Sequence, residues 1–313
     1  MRPILHALVL ILLIPSTLMA EPKEIFRDLS LQHGFNLSAV RSSMVPLEIG
    51  VILSENSELG PYWRLAQWGT RFDLKSAKTQ YQPDTTRFMT NPGKTLNINP
   101  GGLAGEGVQL AVQGGAEYDG QLRQQGEPWP HILIEQHMPK DFMVSDYSKL
   151  DFHLEFRVDQ CENATELTLN RGLHTAQITA FFAIRNTNKD SQDFNDSIWF
   201  GLPLFDARFD THPGHQAVDG GKNDATGKFI CTLKGNRFYD SPTGDGTWKT
   251  LDADLVPLVR EALAAAQAKG FLTHTTFQDL HPTSFNLGWE VTGPYNCAIT
   301  LKKLSLQGTP AAL

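Results

Sequence analysis

Carboxylate, imidazole, guanidinium and amide groups alternate with apolar side chains along several short segments of the chain. In segment 131–138, Glu135 and His137 alternate with Ile132 and Ile134. Alternate residues of a β-strand point to opposite faces, so such a segment separates an apolar face from a polar one. The same alternation recurs in segments 151–158, 176–185 and 285–292. This pattern predicts antiparallel strands with one buried face and one polar face.

The polar faces carry groups that suit the recognition of sugars. Planar amides, carboxylates and guanidinium groups can hydrogen-bond neighbouring hydroxyls in pairs, and arginine suits bidentate recognition of a carboxylate. If the strands are neighbours in one sheet, these groups form a single glycan-binding face. The candidate binding residues are Trp129, His153, Glu155, Arg157, Gln177, Arg185 and Asn286. Trp129, between two prolines, is the candidate stacking ring, and a solvated face with cross-strand ion pairs is the alternative.

The same residues allow two kinds of polysaccharide cleavage. Glycoside hydrolysis needs two carboxylates, roughly 5–5.5 Å apart for retention and 6.5–9.5 Å apart for inversion. Neighbouring strands lie only ~4.8 Å apart, so Glu135, Glu155 and Glu290 are candidates. Elimination from a uronate would need a base, an acid and cations. His137, His153, Tyr147 and Arg157 could supply them. The candidate catalytic residues are therefore Glu135, His137 and Glu290.

A second cluster has the composition of a metal site. Asp206, Asp210, His212 and His215 lie in a loop rich in proline and glycine, with the spacing Asp-x-His-x-x-His. Mixed oxygen and nitrogen ligands suit zinc, and the oxygens alone suit calcium. The helical H-E-x-x-H arrangement and the calcium loop are both missing, so a hydrogen-bonded surface loop is the alternative.

The elements that must position these residues are mostly strands. Turn sequences such as 99–102 and 243–246 separate short strand-like runs. The run 197–205 is apolar on both faces, but Pro203 forbids regular central pairing there. One helix is predicted over about 254–269, from apolar residues at helical spacing, an aspartate cap and Gly270 as the stop. The predicted fold is all-β, a jelly-roll-like antiparallel β-sandwich with one packed α-helix.

Three segments support a resemblance to known proteins. Segments 129–136, 246–255 and 286–306 resemble strands of jelly-roll sandwiches in secreted bacterial carbohydrate-active proteins, including galactose-binding-like and lectin-like modules. The resemblance implies a glycan-related role, but it identifies neither a substrate nor catalytic residues.

The N-terminus and the composition constrain location and partners. Residues 1–20 combine an early positive charge, a brief apolar run and a final alanine, which predicts a secretory signal peptide. We expect residues 21–313 to form one β-sandwich domain, secreted or periplasmic, with no membrane span after signal removal. The net charge of −7 disfavours nucleic acid as a partner. Of Cys161, Cys231 and Cys297, two could pair, but the sequence does not indicate which.

Three functions follow from these observations. The first is a protein that binds a glycan on a polar sheet face without cleaving it. The second is a glycoside hydrolase or polysaccharide lyase that uses the same groove. The third is an extracytoplasmic protein that contacts another protein, which predicts a broad apolar patch in place of a groove.

Overall fold

The computed structural model describes residues 21–41, 46–55, 59–220 and 225–311. The predicted signal peptide, residues 1–20, lies outside the described residues. Within those ranges, no helix has the length and apolar character needed to cross a membrane.

The described residues form two antiparallel-dominated sheets and a packed helix. The strands are β1 (Lys23–Glu24), β2 (Phe35–Ser38), β3 (Glu48–Ile52), β4 (Trp63–Ala66), β5 (Gln80–Tyr81), β6 (Arg87–Asn91), β7 (Lys94–Ile98), β8 (Val108–Gln113), β9 (His131–His137), β10 (Tyr147–Asn163), β11 (Ala176–Asn186), β12 (Ser197–Asp206), β13 (His215–Val218), β14 (Phe229–Thr232), β15 (Lys249–Asp254), β16 (Leu280–Val291) and β17 (Tyr295–Pro310). The α-helices are the short α1 (Gly114–Glu117) and α2 (Leu255–Ala268).

The two sheets differ in size and strand order. Over the described ranges, the smaller sheet has eight strands in the order β15-β10-β17-β8-β7-β6-β5, with β1 paired to β17. The larger sheet has nine, in the order β13-β14-β12-β11-β16-β9-β4-β2-β3. Neighbouring strands are antiparallel except for the parallel pairs β2–β4 and β12–β14.

The core lies between the inner faces of the sheets. Phe152 from the smaller sheet contacts Phe182 and Phe285 from the larger one, with ring centroids 5.8 and 6.0 Å apart. Trp289 is fully buried, and its Nε1 donates to the Leu110 carbonyl across the core at 3.0 Å. The apolar residue of each alternating pair is therefore the inner one, and the outer faces of both sheets carry the polar residues.

These observations confirm the predicted fold class. All the segments predicted as strands are strands, and α2 spans 255–268 against the predicted 254–269. Asp254 caps α2 by accepting from the Val256 amide at 3.1 Å. At Pro203 the pairing of β11 with β12 shifts register between Ile178 and Thr179, which is the irregularity expected where proline cannot donate.

Candidate functional site

A cleft of about 1510 Å³ crosses the outer face of the larger sheet. Its floor consists of cross-strand rows, in which each residue faces its partner on the next strand. One row runs His137, Ser284, Ala183, Trp199. The next row runs Glu135, Asn286, Phe181, Gly201. Strands β9 and β16 thus place polar groups in each row, and β11 or β12 adds one aromatic ring to it, Phe181 or Trp199.

Several polar side chains of this floor have no partner among the residues that the structure describes. Among the described residues, no hydrogen bond or ion pair engages the side chains of His137, Asn286 or Arg185, all of which line the cleft. His137 and Arg185 are exposed, and Asn286 is half-buried. These groups keep their hydrogen-bonding capacity for solvent or a ligand.

Glu135 is the exception, because it is already paired. Arg64 on the adjacent strand β4 donates from Nε to Glu135 Oε2 at 2.7 Å. The Glu135 side chain is only 9% exposed. Burial raises the pKa of Glu135, and the charge and hydrogen bond of Arg64 act against that rise. The cleft floor therefore contains a nearly buried carboxylate that can hold a proton at higher pH than an exposed glutamate.

Two tryptophans form one wall of the cleft around His131. The Trp129 ring stacks on the His131 ring with centroids 5.8 Å apart, and Trp68 meets the same imidazole edge-on at 5.8 Å. Gly69 (φ +67°) makes this approach possible, because a Cβ there would lie 2.1 Å from the Trp129 carbonyl oxygen. Trp129 is half-buried, so its ring forms a wall of the cleft more than the exposed platform that the sequence suggested.

Arg123 holds this wall in place. Its guanidinium is 5.2 Å from the Trp129 ring centroid and is almost fully buried. It donates to the backbone carbonyls of Gln124, Glu127, Leu173 and Thr292. Because these carbonyls belong to three separate loops, one side chain fixes the rim on this side of the cleft.

Trp199 and Phe181 form the aromatic part of the floor. Their rings meet edge to face, with centroids 6.2 Å apart, and both are half-buried. Trp199 Nε1 donates to Thr226 Oγ1 at 3.1 Å, which orients the ring. Ala183 is the cross-strand partner of Trp199. A Cβ at Gly201 would lie 2.7–2.8 Å from side-chain atoms of Phe181, Thr179 and Thr232, so the glycine allows these side chains to pack closely over the strand.

The structure does not bring all predicted binding residues onto one face. His153, Glu155 and Arg157 lie on β10 of the smaller sheet, as does Tyr147, so the expectation of one shared polar face is wrong for this strand. The charged partners of these β10 residues lie on β10 itself or on a neighbouring strand of the smaller sheet. His153 Nδ1 lies 2.6 Å from Asp252 Oδ1, Lys302 Nζ 3.2 Å from Glu155, and Arg157 Nε 2.6 Å from Asp159. This face has the cross-strand ion pairs of an ordinary solvated sheet.

Gln177 and Glu290 lie on the correct sheet but outside the cleft. They are cross-strand partners, and Gln177 Nε2 donates to Glu290 Oε2 at 3.4 Å. Glu290 pairs with His131, four residues from Glu135 along β9. At ~3.3 Å per residue, the Cα atoms of Glu135 and Glu290 are about 14 Å apart. That register does not support these two carboxylates as a hydrolytic pair, which needs a separation below about 10 Å.

The predicted metal ligands do not converge. In the part of the chain that the structure describes, which includes all four residues, no three histidine, cysteine or acidic side chains are grouped closely enough to hold an ion. Arg208 binds the Asp206 carboxylate, with Nη2 2.5 Å from Oδ2, and Thr175 donates to the same carboxylate. His212 Nδ1 accepts from the Gly214 amide, while His215 is on β13. The zinc or calcium site is replaced by a hydrogen-bonded loop that includes an internal ion pair.

Four residues that build the cleft were not among the predicted site residues, namely Arg64, Trp68, Arg123 and Trp199. Trp199 carried a local signal, since it lies on the second apolar face of segment 197–205. Phe181 is likewise an apolar residue on the polar side of its strand. The rings of Phe181 and Trp199 both lie on the outer face of the larger sheet. The positions of Arg64, Trp68 and Arg123 in the cleft depend on strands and loops that meet only in the folded chain.

The fold and the site define an all-β sandwich with an open, partly aromatic cleft across its larger sheet. No protein-family model matches the chain. No curated protein matches its sequence.

Among solved structures, the chain is similar to a family 11 xylanase from Neocallimastix patriciarum, with 7% identity and a TM-score of 0.38 over 77% of this chain and 98% of that one. A family 12 xyloglucanase from Bacillus licheniformis has 12% identity and a TM-score of 0.38, covering 73% and 95% of the two chains. The xyloglucanase domain of NopAA from Sinorhizobium fredii, in complex with cellobiose, has 10% identity and a TM-score of 0.37, covering 76% and 100%. Similarity at TM-scores below 0.5 does not establish a shared activity.

Proposed function

We propose that this protein binds a glycan in the cleft of the larger sheet without cleaving it. The observation that carries the proposal is the row of unpaired polar groups beside aromatic rings. His137 and Asn286 face the cleft with free hydrogen-bonding groups, and Trp199 lies in the same row as His137. Sugars match such a surface, because hydroxyls pair with planar polar groups and C–H faces stack on aromatic rings.

The contrast between the two sheets supports a binding role for the larger one. On the smaller sheet, His153, Glu155 and Arg157 each have a charged partner within 3.2 Å. On the larger sheet, the cleft leaves comparable groups unpaired. A surface that leaves hydrogen-bonding groups unpaired in a large concavity is suited to a ligand, whereas a self-paired face is not.

The alternative function is enzymatic cleavage in the same cleft. Its support is Glu135, whose pKa burial raises, with His137 two residues further along the same face of β9. A proton-holding carboxylate and an exposed imidazole are the groups that general acid–base catalysis requires. The distance between Glu135 and Glu290 favours binding over hydrolysis by that pair.

The third interpretation, a protein-interaction surface, has less support. It predicted a broad apolar patch in place of a groove, and the larger sheet instead carries a cleft lined by both polar and aromatic side chains.

The deciding experiment is a polysaccharide panel. The purified protein is tested for retention by each glycan, for new reducing ends and for absorbance from unsaturated uronates. The variants are His137→Ala, Asn286→Ala and Glu135→Gln in the cleft, with Glu155→Gln on the smaller sheet as the matched control. Retention without product, weakened by the cleft variants alone, supports binding. Product that disappears in Glu135→Gln or His137→Ala supports the enzyme, and neither retention nor product contradicts both.

A further inference from the structure

We propose, on the basis of the proposed binding function, that the glycan is acidic and that Arg185 binds one of its carboxylates. Arg185 lies on β11 and lines the cleft, with its side chain exposed. Among the described residues, no acidic group and no carbonyl oxygen accepts a hydrogen bond from its guanidinium. A guanidinium presents a planar fork of donors that matches both oxygens of a carboxylate.

Three other cations of the cleft are already engaged. Arg64 is paired with Glu135, Arg123 with four backbone carbonyls, and Lys228 Nζ with Asp196 at 2.8 Å. Arg41 is exposed and has no partner among the described residues, but it follows β2 near the far edge of the sheet. Arg185 therefore combines an available charge and available donors with a position next to the aromatic rings of the floor. We therefore expect an anionic group of a ligand to gain most binding free energy beside Arg185.

The position of Arg185 relative to Trp199 fits a uronate. Arg185 is the cross-strand partner of Ser197, two residues before Trp199, so the two side chains are diagonal neighbours on one face. Diagonal neighbours are within reach of aromatic and long side chains. A sugar ring stacked on Trp199 would then place its exocyclic carboxylate beside the guanidinium, with His137 and Ser284 completing the row beyond.

The charge of the cleft agrees with this assignment. Its lining includes the cations Arg41, Arg64, Arg123, Arg185 and Lys228 and the anions Glu127, Glu135 and Asp219. The chain as a whole has a formal charge of −7. A local excess of positive charge on an acidic protein attracts anionic ligands to that site and away from the rest of the surface.

The test compares acidic polysaccharides with their esters. Binding is measured for polygalacturonate, alginate and hyaluronan, each beside a derivative whose carboxylates are methyl-esterified, and for neutral glucans and xylans. The expected result is binding to at least one acidic chain, weakened about tenfold or more by esterification and by Arg185→Gln. Arg157→Gln, on the smaller sheet, is the matched control and leaves the affinity unchanged.

The outcomes separate this inference from the binding function. An ester or a neutral glycan that binds as tightly as the acidic chain would overturn the acidic assignment and leave glycan binding intact. Wild-type affinity in Arg185→Gln would overturn the role of that residue. Binding of dextran sulfate without any carboxylated chain would replace carboxylate by sulfate recognition, and binding of no glycan at all would contradict both proposals.

An independent observation concerns the cysteines. Cys161 on β10 and Cys297 on β17 are directly opposite each other in an antiparallel pair. Cross-strand partners have Cα atoms roughly 4.5–5.5 Å apart and side chains on the same face. That separation falls within the range of about 4.4–6.8 Å that disulfides span. Cys231 lies on β14 of the other sheet, so it is not the partner of either.

We infer that Cys161 and Cys297 form a cross-strand disulfide when the chain folds in the presence of a disulfide oxidant. With oxidised glutathione, a sulfur–sulfur bond forms between the two cysteines while the sulfur–sulfur bond of glutathione breaks. The two thiol protons and two electrons pass to the oxidised glutathione, which becomes two molecules of reduced glutathione.

The disulfide has to form before folding buries the two cysteines. Burial raises the pKa of Cys161 to about 12, and burial also raises the pKa of the fully buried Cys297. Because the thiolate is the reactive form, the folded dithiol exchanges slowly. Folding in the oxidant is therefore the condition that matters.

The experiment is refolding followed by thiol counting. Denatured, reduced protein is refolded with reduced and oxidised glutathione, then unfolded and alkylated with iodoacetamide for mass spectrometry. The expected count is one alkylated cysteine in the wild type, none in Cys231→Ser and two in Cys161→Ser, with one cross-linked peptide pair containing residues 161 and 297. Three alkylated thiols, a glutathione adduct or a cross-link to Cys231 would overturn the inference.

Discussion

Arg64 Nε donates to Glu135 Oε2 at 2.7 Å across the adjacent strands β4 and β9. The side chains are only 15% and 9% exposed, and Glu135 depends on Arg64 for compensation of its charge. Arg64 has a second acidic neighbour, Glu48, whose Oε1 is 3.9 Å from Nη1. This ion pair between Arg64 and Glu135 joins two strands of the cleft floor and keeps the nearly buried Glu135 carboxylate in a fixed position. Its strength can be tested separately from ligand binding.

Arg64→Ala should destabilise the protein by about 3 kcal/mol at neutral pH, because it leaves the Glu135 carboxylate buried without its cation. The pKa of Glu135, already raised by burial, should then rise further. A folded state with the higher pKa binds more protons than the unfolded state, so stability should fall as pH rises from the ordinary glutamate pKa through the folded one. Urea unfolding at several pH values measures this dependence.

The control for that measurement is the double variant Arg64→Ala with Glu135→Gln. Without a carboxylate at position 135, its unfolding free energy should lose the added pH dependence. If the unfolding free energy of the single Arg64→Ala variant has the same pH dependence as that of the double variant, the inferred electrostatic coupling between Arg64 and Glu135 is wrong.

Trp199→Ala should weaken glycan binding about two- to tenfold, because a stacking ring contributes on the order of 0.5–1.5 kcal/mol. Trp199→Phe should retain part of the affinity, since it keeps a ring but loses the hydrogen bond to Thr226. Trp248 is the matched control, because it is 40% exposed on the smaller sheet beside Arg157 and Lys302. Titration calorimetry of the three variants distinguishes them, and equal losses in Trp199→Ala and Trp248→Ala would contradict the location of the site.

Lys94→Met should destabilise the protein by about 3–5 kcal/mol, since it leaves a carboxylate unpaired in the interior. Lys94 Nζ lies 2.8 Å from Glu117 Oε1, with side-chain exposures of 0% and 1%. The double variant Lys94→Met with Glu117→Gln should recover part of the loss, because no unpaired charge then remains. Urea denaturation midpoints give the comparison, and a single variant as stable as the double would show that Glu117 is not charged in the fold.

Chelation should leave the melting temperature unchanged. The prediction rests on the Arg208–Asp206 ion pair, which occupies the carboxylate that the sequence suggested as a metal ligand. A ligand that binds the folded state raises its stability, so added calcium or zinc would reveal a site by raising Tm. Such a rise, lost in Asp206→Asn, would contradict this interpretation of the loop.

Local patterns were sufficient to predict the strands β9 to β12 and β16 and the helix α2, whereas none of the eight strands before β9 was predicted. Alternation over 131–138 and 285–292 identified β9 and β16 and correctly assigned their inner faces, because burial against a core requires period-two hydrophobicity. The cap at Asp254 and the stop at Gly270 located α2 within a residue at each end. Glu135, His137, Arg185 and Asn286 were likewise assigned to a polar outer face before strand order was known.

Sheet membership was not encoded in any of those patterns. Segment 151–158 alternates just as 131–138 does, yet β10 belongs to the smaller sheet, so His153 and Glu135 lie on opposite sides of the sandwich. Alternation records only which face of a strand is buried, and both sheets bury one face in the same core. It cannot report which strand is the neighbour, because pairing is chosen by contacts between segments far apart in the chain.

The sequence by itself therefore determined several of the strands, the helix α2 and the polar character of the outer faces of those strands, since these follow from short-range periodicity and capping. Only the tertiary structure decided which polar groups share a cleft and which cysteines face each other. It also decided which charges are already paired, because a pair such as Arg64 and Glu135 forms between residues 71 positions apart. The tertiary structure likewise decided that Arg185 has no partner among the described residues.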